Sequence, residues 1–425
     1  MSSVKKVKND GLEKSFNVRV PNEYFIKKYE DEIVKIQKNI KIDGFRKGHV
    51  PADVIKNKFS VKVLSDTCED VINEEVKKII DENGFTLATR PKIDIKEYDE
   101  KKDLEFEVAF ELLPEIPNID FGKIKLKKQN IKVSKKDIED EKLHILRNKA
   151  NWNERDKSSE LGDKVKIDFL GKINGEAFEG GKSENYDLIL GSKSFIDTFE
   201  EQLVDKKSGD EVTVKVKFPE NYNKKELAGK NAVFEVKIKS VSAPEFPELT
   251  DDYLKNNFNI DNYEEFEKAI EKELKNAFDR SAKNLLNKNI INWLKSSVKI
   301  ELPKSIVEDE LKRVINDKMT ASENKEAKKK VEDDVKVSLV LGDLAKKNNI
   351  NAEKSEIIQE IYKISSAYPE QQKMLVDYYT KNQYMLNQIS SQIIENKVLD
   401  YIVDKANLDE VDISIDEFIK QQHNN

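Results

Sequence analysis

The sequence predicts an α+β multidomain chain. Three observations carry that expectation. Apolar residues alternate with a period of two near both ends of the first hundred or so residues, with helical periodicity between. Short alternating runs separated by turn signals fill 161–241, and helical periodicity dominates after Pro247. At 425 residues the chain has room for about two to four domains, each burying its own core. Hydrophobic residues make up 37% and charged residues another 37%, so folded domains are expected beneath a heavily ionic surface.

The first domain is expected over 1–113. Phe16, Val18 and Val20 alternate with Ser15, Asn17 and Arg19, which predicts a half-buried strand closed by Pro21. Phe25, Tyr29, Ile33, Ile36 and Ile40 then share one face of a helix, with Lys27, Lys28, Asp31, Glu32 and Lys35 left to solvent. That helix delivers the chain into Ile42-Asp43-Gly44-Phe45-Arg46-Lys47-Gly48-His49-Val50-Pro51. Gly44 and Gly48 permit positive φ or close backbone approach, and Pro51 suits the start of a following helix. Phe45, Arg46 and Lys47 would then project from a tip. Residue types alone favour a plain helix–helix turn. Over 41–58 five cations face two anions, so the loop runs against the chain's net charge of −7. Helices are expected over 51–59 and 61–82, the second turning Leu64, Cys68, Val71, Ile72, Ile79 and Ile80 inward and ending at Asn83-Gly84. Strands over 92–98 and 104–112 complete the unit.

The stretch 114–150 reads as an extended linker followed by a helix opened by a capping box at Ser134 and Asp137. A small antiparallel sheet domain is expected over 151–243. It has a strand over 165–170, an Asn174-Gly175 hairpin, and clean alternation of Val212, Val214, Val216 and Phe218 and of Ala232, Phe234, Val236 and Ile238. Residues 191–200 predict the start of a short helix with Phe195, Ile196 and Phe199 on one side. Those side chains could floor a pocket, but residue types alone favour the ordinary core of a domain this size. The last region, 244–425, reads as helical to its end. Start signals stand at Thr250 and at Asp261-Asn262-Tyr263-Glu264, and further helices are expected over 304–320, 325–348, 353–367 and 369–406, with a break near Lys381-Asn382. Met374, Tyr378, Tyr379, Tyr384 and Met385 place apolar groups on more than one side, which means either two packed neighbours or a surface open to a partner.

Composition narrows the chemistry. Cys68 is the only cysteine, which rules out an intramolecular disulfide or a four-cysteine zinc site and fits a reducing cytosol. The first ten residues lack the apolar core of a secretory signal, and no apolar run approaches the roughly 20 residues needed to cross a bilayer, so a cytoplasmic protein is expected. His49, His144 and His423 lie far apart in sequence, and there is no HExxH, GxSxG or P-loop. One reaction needs no nucleophile. Rotation about an Xaa-Pro amide meets a resonance barrier of about 18–20 kcal/mol, and an apolar, water-poor pocket favours the twisted, less dipolar amide.

Along essentially its whole length the chain resembles the trigger factor family of bacterial ribosome-associated chaperones. Gly44-Phe45-Arg46-Lys47-Gly48-His49-Val50-Pro51 resembles the family's ribosome-docking signature. The middle domain resembles an FKBP-type prolyl isomerase through Ile167-Asp168-Phe169-Leu170-Gly171, Phe178-Glu179-Gly180-Gly181, Leu190-Gly191, Phe218-Pro219-Glu220-Asn221-Tyr222 and Val233-Phe234-Glu235-Val236. The implied fold is an N-terminal α+β ribosome-binding domain, an FKBP-like antiparallel sheet domain and an all-α C-terminal chaperone domain. The implied function is a chaperone that binds nascent chains at the tunnel exit, prevents their aggregation and isomerises their prolines. A mainly soluble prolyl isomerase with substrate-recruiting flanks, or a chaperone with an inactive isomerase domain, is the alternative; a helical adaptor for one fixed partner is a third reading.

Carried over by the resemblance, the isomerase pocket comprises Phe169, Phe178, Glu179, Phe195, Ile196, Phe199, Tyr222 and Phe234, and the ribosome-binding residues are Gly44, Phe45, Arg46, Lys47, Gly48 and Pro51. The implied partners are the large ribosomal subunit near the tunnel exit, both protein and ribosomal RNA, and nascent or unfolded polypeptides. No cofactor, metal or membrane is implied, and self-association off the ribosome is at most a weak homodimer. One departure stands out. Where the family reads Ile-Pro-Gly-Phe this chain has Ile196-Asp197-Thr198-Phe199, which puts a carboxylate and a β-branched residue at the helix start, where Asp197 is expected to serve as a favourable anionic N-terminal residue.

Overall fold

The computed structural model describes residues 2–423 apart from 42, 44, 47, 48, 97–101, 197, 221, 223, 225, 317 and 318. The chain opens with a hairpin, β1 (Ser3–Asp10) and β2 (Glu13–Val20), followed by α1 (Asn22–Asn39), α2 (Ala52–Asn83), β3 (Lys92–Ile95) and β4 (Leu104–Glu111). The four strands form an antiparallel sheet in the order β1-β2-β4-β3. Period-two alternation buries Leu104, Phe106, Val108 and Phe110 of β4, which pack with Phe16, Val18, Phe25, Val71 and Ile79 into one core. Two helices expected over 51–82 are one: no glycine or proline stands between Phe59 and Val61, and Val61 is 81% exposed, so nothing interrupts the backbone ladder there. Gly84, at φ +63°, ends α2 as expected. Sequence reading missed β1, because an edge strand exposed along its whole length shows no hydrophobic alternation; Lys5, Lys6 and Lys8 instead guard that edge against further pairing. The end of the expected strand over 92–98 lies outside the described residues.

After a 3-10 turn at Phe121–Lys123 come β5 (Lys125–Lys132) and α3 (Lys135–Arg147), the latter opened by the expected capping box. The sheet of the middle region contains β6 (Asn151–Glu154), β7 (Lys164–Ile173), β8 (Glu176–Ile189), β9 (Glu211–Lys217) and β10 (Asn231–Glu245). Every pairing is antiparallel, and β10 pairs with β6, β7 and β9. Asn174 and Gly175, at φ +51° and +89°, make the tight turn between β7 and β8. Val165, Ile167, Phe169, Leu188, Phe218 and Phe234 belong to a single core on one face of this sheet.

The remaining elements are α4 (Asp251–Phe258), α5 (Tyr263–Ser297), α6 (Lys304–Val314), α7 (Ala321–Lys347), α8 (Lys354–Ser366), α9 (Gln372–Lys381), α10 (Gln383–Lys405), β11 (Asn407–Ser414) and α11 (Ile415–His423). Thr250 caps α4, the Asn262 side chain accepts from Glu265 N at 2.9 Å at the start of α5, and Asn382 caps α10 at the expected break. The run is not helical to its end. In β11, Val411 and Ile413 alternate with Asp412, and the strand pairs with β5, helped by Lys132–Asp412 at 3.3 Å. Met374, Tyr378 and Tyr384 are 62%, 52% and 65% exposed, so of the two readings left open for that stretch these side chains take the open surface. Among the described residues no helix is long and apolar enough to cross a membrane.

The chain divides into two compact units, Met1–Lys128 with Asn284–Asp409 and Gln129–Lys283 with Glu410–Asn425. Within the first, carboxylates at one end of the N-terminal sheet meet the start of α6. Helix α6 has no side-chain cap of its own, and the Glu111 carboxylate takes its place, accepting from Ser305 N at 3.2 Å and from the Ser305 hydroxyl. Glu13 accepts from Lys304 at 2.7 Å and also pairs with Lys8. Those two ammonium groups hold the Glu13 carboxyl at about 2, below its ordinary 4.5. A carboxyl lowered on folding adds stability above its unfolded pKa and loses it as pH falls through the folded one. Glu13→Gln should therefore lower stability at pH 7, and the difference should fade between pH 4.5 and about 2; thermal unfolding of both chains over that range checks it.

Candidate functional site

The pocket is built on the core of the middle sheet. A cavity of about 830 Å³ is lined by seven of the eight expected residues, Phe169, Phe178, Glu179, Phe195, Ile196, Tyr222 and Phe234. The eighth, Phe199, does not line it. It is fully buried beneath, stacked on Phe195 at 4.4 Å between ring centroids and edge-on to Phe234 at 5.3 Å. Phe169 meets Tyr186, Phe195, Phe199 and Phe234 at 5.4–6.4 Å in edge-to-face contacts. The walls are thus the exposed edges of rings whose other sides are core.

The short sequence motifs have a steric reason. A Cβ on Gly171 would lie 2.5 Å from the Phe234 ring and 2.8 Å from Phe178, and one on Gly181 would lie 2.8 Å from Phe178. Only glycine at both positions leaves room for the outer end of the Phe178 ring between the two strands. Tyr186, Phe218, Pro219, Lys224 and Leu227 also line the cavity and were not among the expected site residues. Phe218 and Pro219 stand in a quoted motif, whereas Tyr186 on β8 opposite Ile167 carried no signal, because strand register decides its side.

The helix expected over 191–200 does not form. The described residues of 191–200 make turns and bends, with backbone N–H groups at 191 and 193–195 donating to the Glu200 side chain, and the 3-10 turn Glu201–Leu203 follows. The expectation of Asp197 as a favourable anion at a helix start falls on a residue outside the described ones, as does Asn221. Thr198 has φ +71°, a left-handed conformation that suits the glycine of the resembled family and strains a β-branched residue. Gln202 holds it there, donating to Thr198 O at 2.9 Å and to Lys215 O at 2.9 Å while accepting from Lys215 N at 3.1 Å. Thr198→Gly should relieve this strain and stabilise the domain by up to ~1 kcal/mol, after the larger chain entropy of glycine is subtracted. A thermal unfolding midpoint that stays put or drops would contradict it.

The basic loop is held from below. Val50 is fully buried and packs with Ile33, Ile55 and Val63, and its carbonyl accepts from the Gln37 side chain at 2.6 Å. His49 N donates to Arg46 O at 2.9 Å, and Phe45 is 40% exposed. Arg46 is exposed, and among the described residues no carboxylate pairs with its guanidinium. Pro51 sits at the N-cap of α2. Gly44, Lys47 and Gly48 lie outside the described residues. No group of three or more His, Cys, Asp or Glu that could hold a metal exists among the described residues.

Comparison with known proteins finds three family models in sequence order. Residues 2–145 match "Bacterial trigger factor protein (TF)", residues 155–239 match "FKBP-type peptidyl-prolyl cis-trans isomerase", and residues 262–404 match "Bacterial trigger factor protein (TF) C-terminus". The trigger factor of Paramagnetospirillum magneticum is 33% identical over 433 residues, covering 98% of this chain and 94% of that protein. That of Paracoccus denitrificans is 33% identical over 435 residues, covering 98% of each. A solved structure from work on "Promiscuous Substrate Recognition in Folding and Assembly Activities of the Trigger Factor Chaperone" aligns with a TM-score of 0.51 at 20% identity, over 95% of this chain and 99% of that one, and shows the same fold. With the N-terminal, isomerase and C-terminal matches all in place around an aromatic-walled pocket, the chain belongs to the trigger factor family, chaperones that carry an FKBP-type peptidyl-prolyl isomerase domain.

Proposed function

We propose that the chain is a cytoplasmic chaperone tethered to the large ribosomal subunit near the tunnel exit, where it shields emerging polypeptides and isomerises their prolines. In this reading 1–113 docks on the ribosome, 114–150 links, 151–243 catalyses and 244–425 holds clients. The observation that carries the docking part is the exposed Phe45 and Arg46 on a loop whose far end is pinned by buried Val50. Anchoring the chain at Val50 reduces the backbone entropy that docking must remove. Arg46 and Lys47 supply a salt-sensitive attraction to phosphate or acidic groups, and Phe45 a salt-insensitive apolar one. Tethering then raises the local concentration of weak client sites. The exposed Tyr362, Tyr368, Met374, Tyr378 and Tyr384 on and beside α8, α9 and α10 are suited to such sites, because polarizable and amphipathic side chains adapt to many partners. Off the ribosome the same surface would support a weak homodimer.

In the pocket, Phe169, Phe178, Phe195, Ile196 and Phe234 present an apolar lining to an Xaa-Pro bond, with Phe199 supporting them from below. An amide twisted out of conjugation is less dipolar and loses less by leaving water, so the rotation barrier falls. Glu179 and the Tyr222 hydroxyl stand at the rim as polar groups able to orient the peptide.

Alanine at 45, 46 and 47 together should cost at least ~2 kcal/mol of ribosome affinity, the size of a hot-spot loss. Cosedimentation should show this, together with weaker binding of the parent chain as salt rises; undiminished binding of the triple variant sinks the docking assignment. Off the ribosome the variant should still suppress aggregation of unrelated clients. Tyr222→Ala, at a position 37% exposed where folding is not at risk, should slow catalysis of proline-limited refolding several-fold, about 1 kcal/mol of transition-state stabilisation.

A further inference from the structure

The wall of the pocket that carries Phe195 has no secondary structure to hold it. Residues 191–194 are exposed, and Gly191 and Lys193 have φ +86° and +57°. Such a segment would ordinarily turn its amides to water. Here the amides point inward, to a carboxylate. Glu200 is 6% exposed, and its Oε2 accepts from Gly191 N at 2.8 Å and Lys193 N at 3.1 Å. Its Oε1 accepts from Ser194 N at 2.8 Å, Phe195 N at 3.1 Å and the Ser192 hydroxyl at 3.2 Å. Four backbone N–H groups and a hydroxyl thus converge on one side chain. Successive N–H groups around an anion form a nest, an arrangement usually completed by a bound ligand; here the chain supplies its own anion.

We infer that Glu200 is a positioning residue of the isomerase, an internal anion that folds the 191–195 loop and so sets the Phe195 wall against the Xaa-Pro bond. This rests on the reading of the aromatic cavity as the isomerase pocket. Two features tie the carboxylate to the wall and not merely to the stability of the domain. Phe195 N is itself one of the donors, so the Cα that carries the ring is fixed by the bond. Phe199, next to Glu200 in the chain, stacks on the Phe195 ring, so backbone and ring of that residue are gripped by neighbouring positions. Ser194, held by the same carboxylate, also lines the cavity. A carboxylate is required because all the partners are donors. The isosteric amide has one accepting oxygen, and in either orientation it turns its NH2 toward two of the backbone N–H groups.

The test uses full-length chains carrying Glu200→Gln, Phe195→Ala or both, assayed on a short Xaa-Pro peptide with kcat and KM separated and folding followed by thermal unfolding. Glu200→Gln should lower kcat/KM about fivefold or more, mainly by raising KM, since a displaced wall weakens binding of the peptide; a loss of folded enzyme would lower kcat alone. In the Phe195→Ala background the same exchange should cost at most half that factor, because the wall it places is gone. A smaller loss, a loss in kcat with KM unchanged, or an undiminished loss without the Phe195 ring overturns the proposal. A folded Phe195→Ala chain as active as the parent overturns the pocket reading and this inference with it, whereas an impaired Phe195→Ala beside an unimpaired Glu200→Gln overturns this inference alone. Should Glu200→Gln not fold at the assay temperature, amide exchange in the parent decides. Slow exchange at Gly191, Lys193, Ser194 and Phe195 supports the nest, and open-loop rates there refute it.

Discussion

The Phe169 ring, edge-on to four other aromatic rings and 9% exposed, is the contact on which the middle domain depends. It belongs to the core on one side and to the cavity on the other, so the energy that folds the domain also shapes the site. Edge-to-face contacts fix ring planes as well as distances. A reaction with no nucleophile and no metal can use little else, because lowering the rotation barrier of an amide is a matter of shape and polarity. The two glycines against Phe178, the buried carboxylate beneath the 191–195 loop and the Gln202 bridge to β9 all serve the same end, which is to keep ring edges at fixed positions without a helix to carry them.

The rest of the chain follows a different logic. Ion pairs over most of the surface are exposed and weak, and they leave the chain heavily charged without tying it down. Where carboxylates are placed with purpose they satisfy donors that backbone geometry leaves open: Glu111 at the start of α6, Asp137 and Glu323 in capping boxes, and Glu200 in the pocket loop. The basic loop departs from that pattern. Its tip residue Arg46 has no carboxylate partner among the described residues, and an aromatic sits beside it in the open. A solvated cation and one exposed ring cost the fold little, and both stand open to a partner.

Much of the architecture could be read from residue order, and the failures are as physical as the successes. Alternation in β4 and β10, the Asn174-Gly175 turn, the Ser134 capping box and the break at Asn382 were legible because each depends on neighbours within a few positions. The edge strand β1 was not, since a polar edge strand shows no hydrophobic alternation, and neither was β11, whose short alternation follows a long helical run and whose partner β5 lies far back along the chain. The residues that line the cavity were named only through family resemblance; residue types alone could not separate core from cavity wall, and Phe199 is buried in the core.

By itself, then, the sequence determined the local elements, the mixture of sheet and helical regions, the basic aromatic loop and the absence of the known nucleophilic and metal motifs, because these rest on composition and short-range periodicity. Only the tertiary structure decided that Tyr186 faces the cavity, that α2 is continuous and that residues 191–195 gather around the Glu200 carboxylate. Strand register and long-range hydrogen bonding choose among conformations that are locally almost equal in energy, and that choice is made when the core packs.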